Sequence, residues 1–553
     1  MRRLLAVIGS PAFAIPLVCW FLFGFVFGIR GIIAGDDWYT IAASNLGHFP
    51  ACVGIGDTFY NPWRPLHVTP ICLLYHSSNS NIMLLHLSTV AGYALTALIW
   101  YCILRSLFQL DGFLALATCL ILLAYPDDTF RLTLLSGQRM WGNALILLGC
   151  WLVLTYWDNH QRWRFAASLV SVGLGLLTYE AQIGLWLPGL PLALLVKDGR
   201  ISRRWLLVSG LIIGVAMCYV CWRFIVLPST YSVATLQLGG GARPLRLELT
   251  FIMSQTVDAF AQVGRLWAEA FRDIHGNVSD AILLQGVLGG LIAGLAVFLS
   301  GHNHKTSAKL RGPSLLASSV IMIPILALPF LVSDNHLPSL RYITSGTPFA
   351  ASLGIIGLCL ILRKPYIVRG LLVGVTAFTV SFGVVVTGAD NEIRLPRTQM
   401  ACDFWLRFTA LVSDLPPQTY VVIRSRDDLT PLSYSAQLAM SYYDEQSVSD
   451  EFLMFGKHGV FGYYGFNAPS AEMSPRGIVG VDPLTAGAVV LHRFSPFPEI
   501  IPLDRSILLD YVAFERLSIL YAPPSATLNA TGSPSQAHRI AQHHCRWYDP
   551  RTI

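Results

Sequence analysis

Asp36 and Asp37 stand side by side directly after the first long apolar stretch of this 553-residue chain, in the run Gly35-Asp36-Asp37-Trp38-Tyr39. Adjacent carboxylates at the exit of a membrane helix repel each other and are costly to place, which makes them functional suspects. Their plain alternative is a polar loop cap. About 27 residues later comes Asn61-Pro62-Trp63-Arg64-Pro65-Leu66, an arginine held between two prolines that stiffen the local backbone. Arginine offers a permanent forked charge suited to phosphate. An acid and a fixed cation at one membrane edge suit one kind of chemistry. The acid takes a proton from an incoming hydroxyl while the cation holds a departing phosphate.

Further polar groups recur at apolar-stretch ends on the same side: Arg131, Arg139, Glu180 in Leu177-Thr178-Tyr179-Glu180-Ala181, His275, His336 and the pair Arg341-Tyr342. Each has a plainer reading. Arg64 can snorkel to the interface, and Glu180 can be a buried acid paired with a neighbouring span. Arg341-Tyr342 can be an interfacial anchor. His275 and His336 read as ordinary loop residues before they read as metal ligands.

The elements that position these groups must be membrane helices. The chain is 54% hydrophobic and 13% charged, with mean hydropathy +0.55; soluble domains carry about twice that charge. Apolar stretches near 5–33, 82–104, 113–125, 136–157, 165–180, 183–196, 205–227, 281–299, 314–332, 343–362 and 368–388 predict about eleven spans. The first is too long for a cleaved signal and reads as a retained anchor. With the N-terminus inside, the inner loops hold Arg105; Arg162 and Arg164; Lys197, Arg200, Arg203 and Arg204; Lys305, Lys309 and Arg311; and Arg363, Lys364 and Arg369. The positive-inside bias holds in each of them. Asp36, Asp37 and everything after Thr387 then face outward. A net charge of +6 spread over such loops does not indicate nucleic acid.

Residues 1–389 thus form a transmembrane domain with outer segments 34–80 and 228–280, and residues 390–553 form an extracytoplasmic soluble domain. Segment 34–80 is rich in aromatics and predicts interfacial helices. In 228–280, Leu245, Leu249, Ile252, Val257, Phe260, Val263, Leu266 and Trp267 recur at near-helical spacing. The tail has strand-like runs at Tyr420–Ile423 and Ala488–Leu491 and is expected to be α/β. The eleven cysteines suggest no framework, since most lie in apolar runs. Cys402 and Cys545 fall in the tail and can pair if it faces an oxidising compartment. No structural zinc pattern is present. The sequons at Asn277 and Asn529 carry meaning only in a eukaryotic secretory host.

The Asp-Asp pair opening the first outer loop, the later Trp-Arg-Pro-Leu and the Tyr-Glu span end together resemble the GT-C superfamily of membrane glycosyltransferases. The likeness is greatest to O-mannosyltransferase-like members and their bacterial relatives, and it covers about residues 1–390. It implies an all-α, GT-C-like polytopic fold with a small C-terminal extracytoplasmic α/β domain, in a bacterial inner membrane or its equivalent. It also implies inverting transfer of a sugar from a polyprenyl-phosphate donor to a glycan, lipid or protein acceptor. On this resemblance Asp36 is the base; Asp37 is read as orienting it or as binding sugar or acceptor. Arg64, Arg341 and Arg139 bind the donor phosphate, and Trp38, Tyr39, Glu180, Tyr342 and His336 contact substrate. No metal is required, although a divalent cation is compatible with the acids. Sugar and acceptor stay open. The rival is a polyprenyl-linked glycan flippase or transporter. A flippase would share the lipid without needing the Asp pair, and a transporter would want charge at mid-depth and repeated topology.

Overall fold

The computed structural model describes residues 7–24, 65–66, 69–77, 82–125, 134–179, 183–226, 249–274, 278–300, 311–331, 346–361 and 365–414. In the tail it describes 419–424, 448–456, 459–464, 488–490, 500–502, 506–522, 526–529 and 534–545. In lipid every backbone N–H and C=O must be satisfied within its own segment, so the apolar runs fold as helices. They are α1 (Pro11–Leu22), α3 (Ile82–Ser106), α4 (Gly112–Ala124), α5 (Leu134–Asn159), α6 (Arg162–Thr178), α7 (Leu190–Asp198), α8 (Arg203–Cys221), α10 (Asp280–Ser300), α11 (Arg311–Leu331), α12 (Thr347–Ile361) and α13 (Pro365–Leu411). The outer segments supply α2 (Thr69–Ser77) and α9 (Leu249–Asp273), and α14 (Gln536–Cys545) closes the chain. Among the described residues five helices are long and apolar enough to cross a membrane, and five shorter apolar helices accompany them. The protein is an integral membrane protein.

The packing centre is α4. Every residue from Phe113 to Ala124 is buried, as expected of a helix that is apolar all round. Helices α1, α3, α12 and α13 pack around it. Small residues set the closest approaches. A side-chain carbon added at Gly383 of α13 would overlap the Ala124 carbonyl of α4, and one at Gly290 of α10 would overlap the Ser381 hydroxyl of α13. Such sites let helix backbones meet where lipid offers no hydrophobic drive. Helix α9 has the expected amphipathic pattern. Its Trp267 stacks on Phe378 and Phe382 of α13 at centroid distances of 6.3 and 5.2 Å, while Met253 and Val257 stay exposed.

Helix α13 runs unbroken through the expected 389/390 boundary into the tail. There a five-stranded sheet is built from β2 (Thr419–Arg424), β3 (Val448–Gly456), β4 (Gly459–Tyr464), β7 (Ser506–Val512) and β8 (Arg516–Tyr521), in the order β4-β3-β2-β7-β8. The central neighbours β3-β2-β7 are parallel and the edges antiparallel. The short pairs β1 (Val412–Asp414) with β9 (Thr527–Leu528), and β5 (Ala488–Val490) with β6 (Ile500–Pro502), stand apart from it. Both strand-like runs of the sequence are strands.

Three devices fasten the tail to α13. Phe404, Trp405 and Phe408 share one buried apolar cluster with Ile423, Ile507, Leu509 and Tyr511. Asp403 accepts hydrogen bonds from Arg407 Nε at 2.8 Å, Tyr511 Oη at 3.2 Å and the Phe514 amide at 3.1 Å. Arg407 in turn donates to the Phe514 and Glu515 carbonyls, and this clamp holds Phe514 at φ 62° in the β7–β8 turn. Finally, Cys402 and Cys545 form a disulfide between α13 and α14. This is the pairing that the sequence left open, and the seven cysteines in apolar runs (Cys19, Cys102, Cys119, Cys150, Cys218, Cys221 and Cys359) form no disulfide. Cys72 of α2, which the sequence did not single out, is also disulfide-bonded. Ile71 and Tyr75 of α2, with Leu85 of α3, are buried in the same cluster as Phe404 and Trp405. The tail's core therefore includes part of the first outer segment. Cys402→Ser is expected to destabilise the tail by about 2–5 kcal/mol, typical of losing a native disulfide. The measurement is faster amide exchange in 419–424 and 506–512. Unchanged exchange would show that the apolar cluster and the Asp403 clamp suffice.

Candidate functional site

Of the sequence-chosen residues, Arg139 lies within the described structure. Asp36, Asp37, Trp38, Tyr39, Arg64, Glu180, His336, Arg341 and Tyr342 lie outside the described residues. The flanks of two of them, Pro65-Leu66 after Arg64 and Leu177-Thr178-Tyr179 before Glu180, are described, and they meet. The Leu66 amide donates to the Leu177 carbonyl at 3.1 Å. The Trp-Arg-Pro-Leu stretch and the Tyr-Glu stretch, more than a hundred residues apart in sequence, are thereby joined by backbone.

Helix α6 ends where its neighbour demands. Thr178 Oγ1 bonds back to the Leu174 carbonyl at 2.8 Å, and the Tyr179 amide donates to Gly175 O at 2.7 Å. Tyr179 itself has extended backbone and ends the helix. Its side chain is buried and faces the start of α5, where Gly142 leaves room for it. A carbon added at Gly142 would sit 2.8 Å from Tyr179 Cβ. The Arg139 guanidinium lies over the Tyr179 ring, 6.0 Å from its centroid, and Arg139 is only 4% exposed. A guanidinium against an aromatic face gains from the ring quadrupole, more so when shielded from water. The snorkelling alternative, applied to Arg139, would leave its charged head in water, which this burial excludes.

One turn further along α5, on the same helix face as Arg139, Asn143 is fully buried. Its side-chain oxygen has no hydrogen-bond partner among the described residues. Buried polar atoms are normally satisfied, so this acceptor invites a donor. Ties to neighbouring helices hold α5 in place. Thr96 Oγ1 donates to Met140 O at 3.1 Å, Trp141 Nε1 to Ser88 Oγ at 3.1 Å, and Ser171 Oγ to Leu145 O at 2.7 Å. Beside this point, Leu73, Leu74, Ser88, Trp141 and Leu145 line an open, mostly apolar groove of about 760 Å³ between α2, α3 and α5.

The arrangement sets a shielded guanidinium against the end of α6, next to the described residues that follow Arg64 and precede Glu180. Asn143 donates its Nδ2 to Met140 Sδ at 3.9 Å and presents its oxygen as an acceptor. Among the described residues no group of three His, Cys, Asp or Glu side chains is placed to hold a metal. Sequence reasoning missed Tyr179, the ring that seats Arg139, and Asn143. The Tyr-Glu doublet drew attention to its acid, and an asparagine inside an apolar helix carries no pattern of its own.

No family profile and no curated protein sequence matches this chain. Among solved structures it is similar to the crystal structure of ArnT from Cupriavidus metallidurans bound to undecaprenyl phosphate. It is equally similar to that of the same protein in the apo state. In both comparisons the identity is 15%, the TM-score is 0.41, and the match covers 80% of this chain and 92% of the other.

Proposed function

We propose that this protein is an integral-membrane glycosyltransferase of the GT-C type, which moves a sugar from a polyprenyl-phosphate donor to an extracytoplasmic acceptor with inversion. The observation that carries this reading is the Leu66–Leu177 hydrogen bond beside the shielded Arg139. It joins two of the three stretches that the sequence resemblance relies on, the one that follows Arg64 and the one that precedes Glu180. In the reaction the acceptor oxygen attacks the anomeric carbon as the bond from that carbon to the phosphate oxygen breaks. The acceptor's proton passes to Asp36, with Asp37 orienting it. The phosphate departs with its negative charge opposed by Arg64, Arg341 and Arg139. Fixed cations at developing charge lower a barrier without the cost of reorganising solvent. Trp38, Tyr39, Glu180, Tyr342 and His336 contact the sugar or acceptor.

On this proposal about eleven spans place the N-terminus in the cytoplasm and the tail outside. Disulfides at Cys402–Cys545 and Cys72 support that side for the tail and the first outer segment, since such bonds persist in oxidising compartments.

Purified protein given a polyprenyl-phosphate sugar should release polyprenyl phosphate in step with a glycosylated acceptor. Mass spectrometry of surface glycans from cells with and without the chain would supply the acceptor. The rate is expected to survive a chelator. Complete, metal-reversible inactivation would overturn the arginine account and make Asp36 and Asp37 metal ligands. Movement of the intact lipid-linked sugar across a vesicle membrane, with no bond broken, would favour a flippase instead.

A further inference from the structure

At the opposite end of α5 and α6 the structure carries a second charged region. The chain turns twice here, from α5 to α6 through His160-Gln161 and from α7 to α8 through Gly199–Ser202. The two turns are laced together. Lys197 pairs with Asp158 at 2.7 Å. Arg204 donates to the Tyr156 carbonyl at 3.0 Å, with its guanidinium 4.3 Å from the Trp157 ring centroid.

Within these turns and the adjoining helix ends, Arg162, Arg164, Lys197, Arg200, Arg203 and Arg204 face only two carboxylates, Asp158 and Asp198. Lys197 and Arg204 are occupied as described, and Arg164 lies 5.6 Å from the Trp163 ring centroid. Arg162, Arg200 and Arg203 are exposed and have no ion-pair or hydrogen-bond partner among the described residues. Neither α6 nor α8 has an acid in its first turn, so the partial positive charge of those helix ends adds to the arginines rather than being offset. Among the described residues these three cations have no ion-pair partner, and Asp198 is the one carboxylate of the two turns that Lys197 does not pair with.

Apolar groups flank these cations. Trp163 is 62% exposed and Ile201 65%. Directly along α8, Leu206 and Leu207 are also exposed and would face lipid. Cations bordered by an exposed tryptophan, with apolar side chains beyond, match a molecule that has an anionic head and hydrocarbon tails. A free phosphate would use the first part and waste the second.

We propose that Arg162, Arg200 and Arg203 bind the phosphate head of an anionic phospholipid, whose acyl chains lie along α8 and whose glycerol region meets Trp163 and Ile201. The proposal needs the chain to span a membrane with these turns at one surface. It does not need the glycosyltransferase reading, and its test does not measure transfer.

The full chain, purified in detergent, would be mixed with equal amounts of phosphatidylglycerol and phosphatidylcholine, and the retained lipids counted by native mass spectrometry. Wild type should retain the anionic lipid at least tenfold preferentially. Each cation near an anionic surface is worth about fivefold in binding. The triple variant Arg162→Gln, Arg200→Gln, Arg203→Gln should therefore lose on the order of tenfold to a hundredfold of the retention. The triple Lys variant should keep most of it, because the charge remains. If the triple Gln variant does not fold, the single Gln variants should each show a partial loss. Equal retention of both lipids by wild type, or unchanged preference in folded Gln variants, would overturn the site and leave the cations as topological markers. Displacement of the lipid by millimolar inorganic phosphate would also overturn it, because the acyl chains would then contribute nothing.

Discussion

Replacing Asp36 by Asn is expected to lower sugar transfer by about 10² to 10⁴, the usual worth of a general base. The substitution preserves shape and hydrogen-bonding capacity but removes the ability to take a proton. An acceptor hydroxyl is a poor nucleophile, and without a base it must expose its proton to water at the moment of attack. The variant should insert in the membrane at wild-type level, since the change also removes one of two mutually repelling charges. Initial rates normalised to protein amount, with a polyprenyl-phosphate sugar as donor, provide the measurement. Wild-type turnover would end the assignment. A loss confined to Asp37→Asn would exchange the two roles.

The second large effect is expected at Arg64. Arg64→Ala should cost about 10² to 10³ in turnover, the range seen when one preorganised charge-stabilising donor is removed. Arg64→Lys should retain part of the rate because the charge stays and the fork is lost. Pro65 and Leu66 follow Arg64 directly, and the Leu66 amide is held by Leu177 O at the end of α6. A few residues later the chain enters α2, whose Ile71 and Tyr75 are buried with Phe404 and Trp405 of α13. An arginine that leads directly into a stretch anchored at Leu66 and again at α2 loses less entropy when it meets a phosphate. Because the cation acts on the departing group, the loss should appear in kcat more than in KM. Equal rates for Arg64→Ala and wild type would pass its role to Arg139 or Arg341.

Much of the membrane part was legible because lipid imposes one strong rule on backbone. Long apolar runs must be helices, and runs such as 82–104, 281–299 and 368–388 have helices in their places. The amphipathic repeat that ends at Leu266 and Trp267 likewise marks a helix, since a period near 3.6 leaves little choice. Strands at 419–424 and 488–490 were visible from their β-branched and aromatic content. The extent of α13 was not legible. The run Gly388 to Thr398 is polar, with Pro396 inside, and reads as a break. The helix continues there because Asp390 and Arg394 pair across one turn at 2.7 Å, and because Ala401, Phe404 and Trp405 find an apolar cluster to enter. Tertiary packing overrides a local pattern that spells a linker.

The candidate site was readable only in part for a related reason. Arg139 was chosen as one charge near a span end, yet its guanidinium lies over the ring of Tyr179, which caps another helix. No spacing within one segment reveals a ring supplied by another. The meeting of Leu66 with Leu177 is of the same kind, a contact between stretches that sequence order holds far apart.

The unbroken α13 has a mechanical consequence. At 1.5 Å per residue, 47 residues make a helix of about 70 Å, more than twice the roughly 30 Å thickness of a bilayer's hydrocarbon core. A domain carried on a flexible string samples a hemisphere above the membrane and can fish for partners. This one rides on a mast. Its height and heading follow from the membrane segment below, so a tilt or twist of that segment swings the tail with it. On the proposed function, an acceptor would meet a platform whose heading the membrane segment sets.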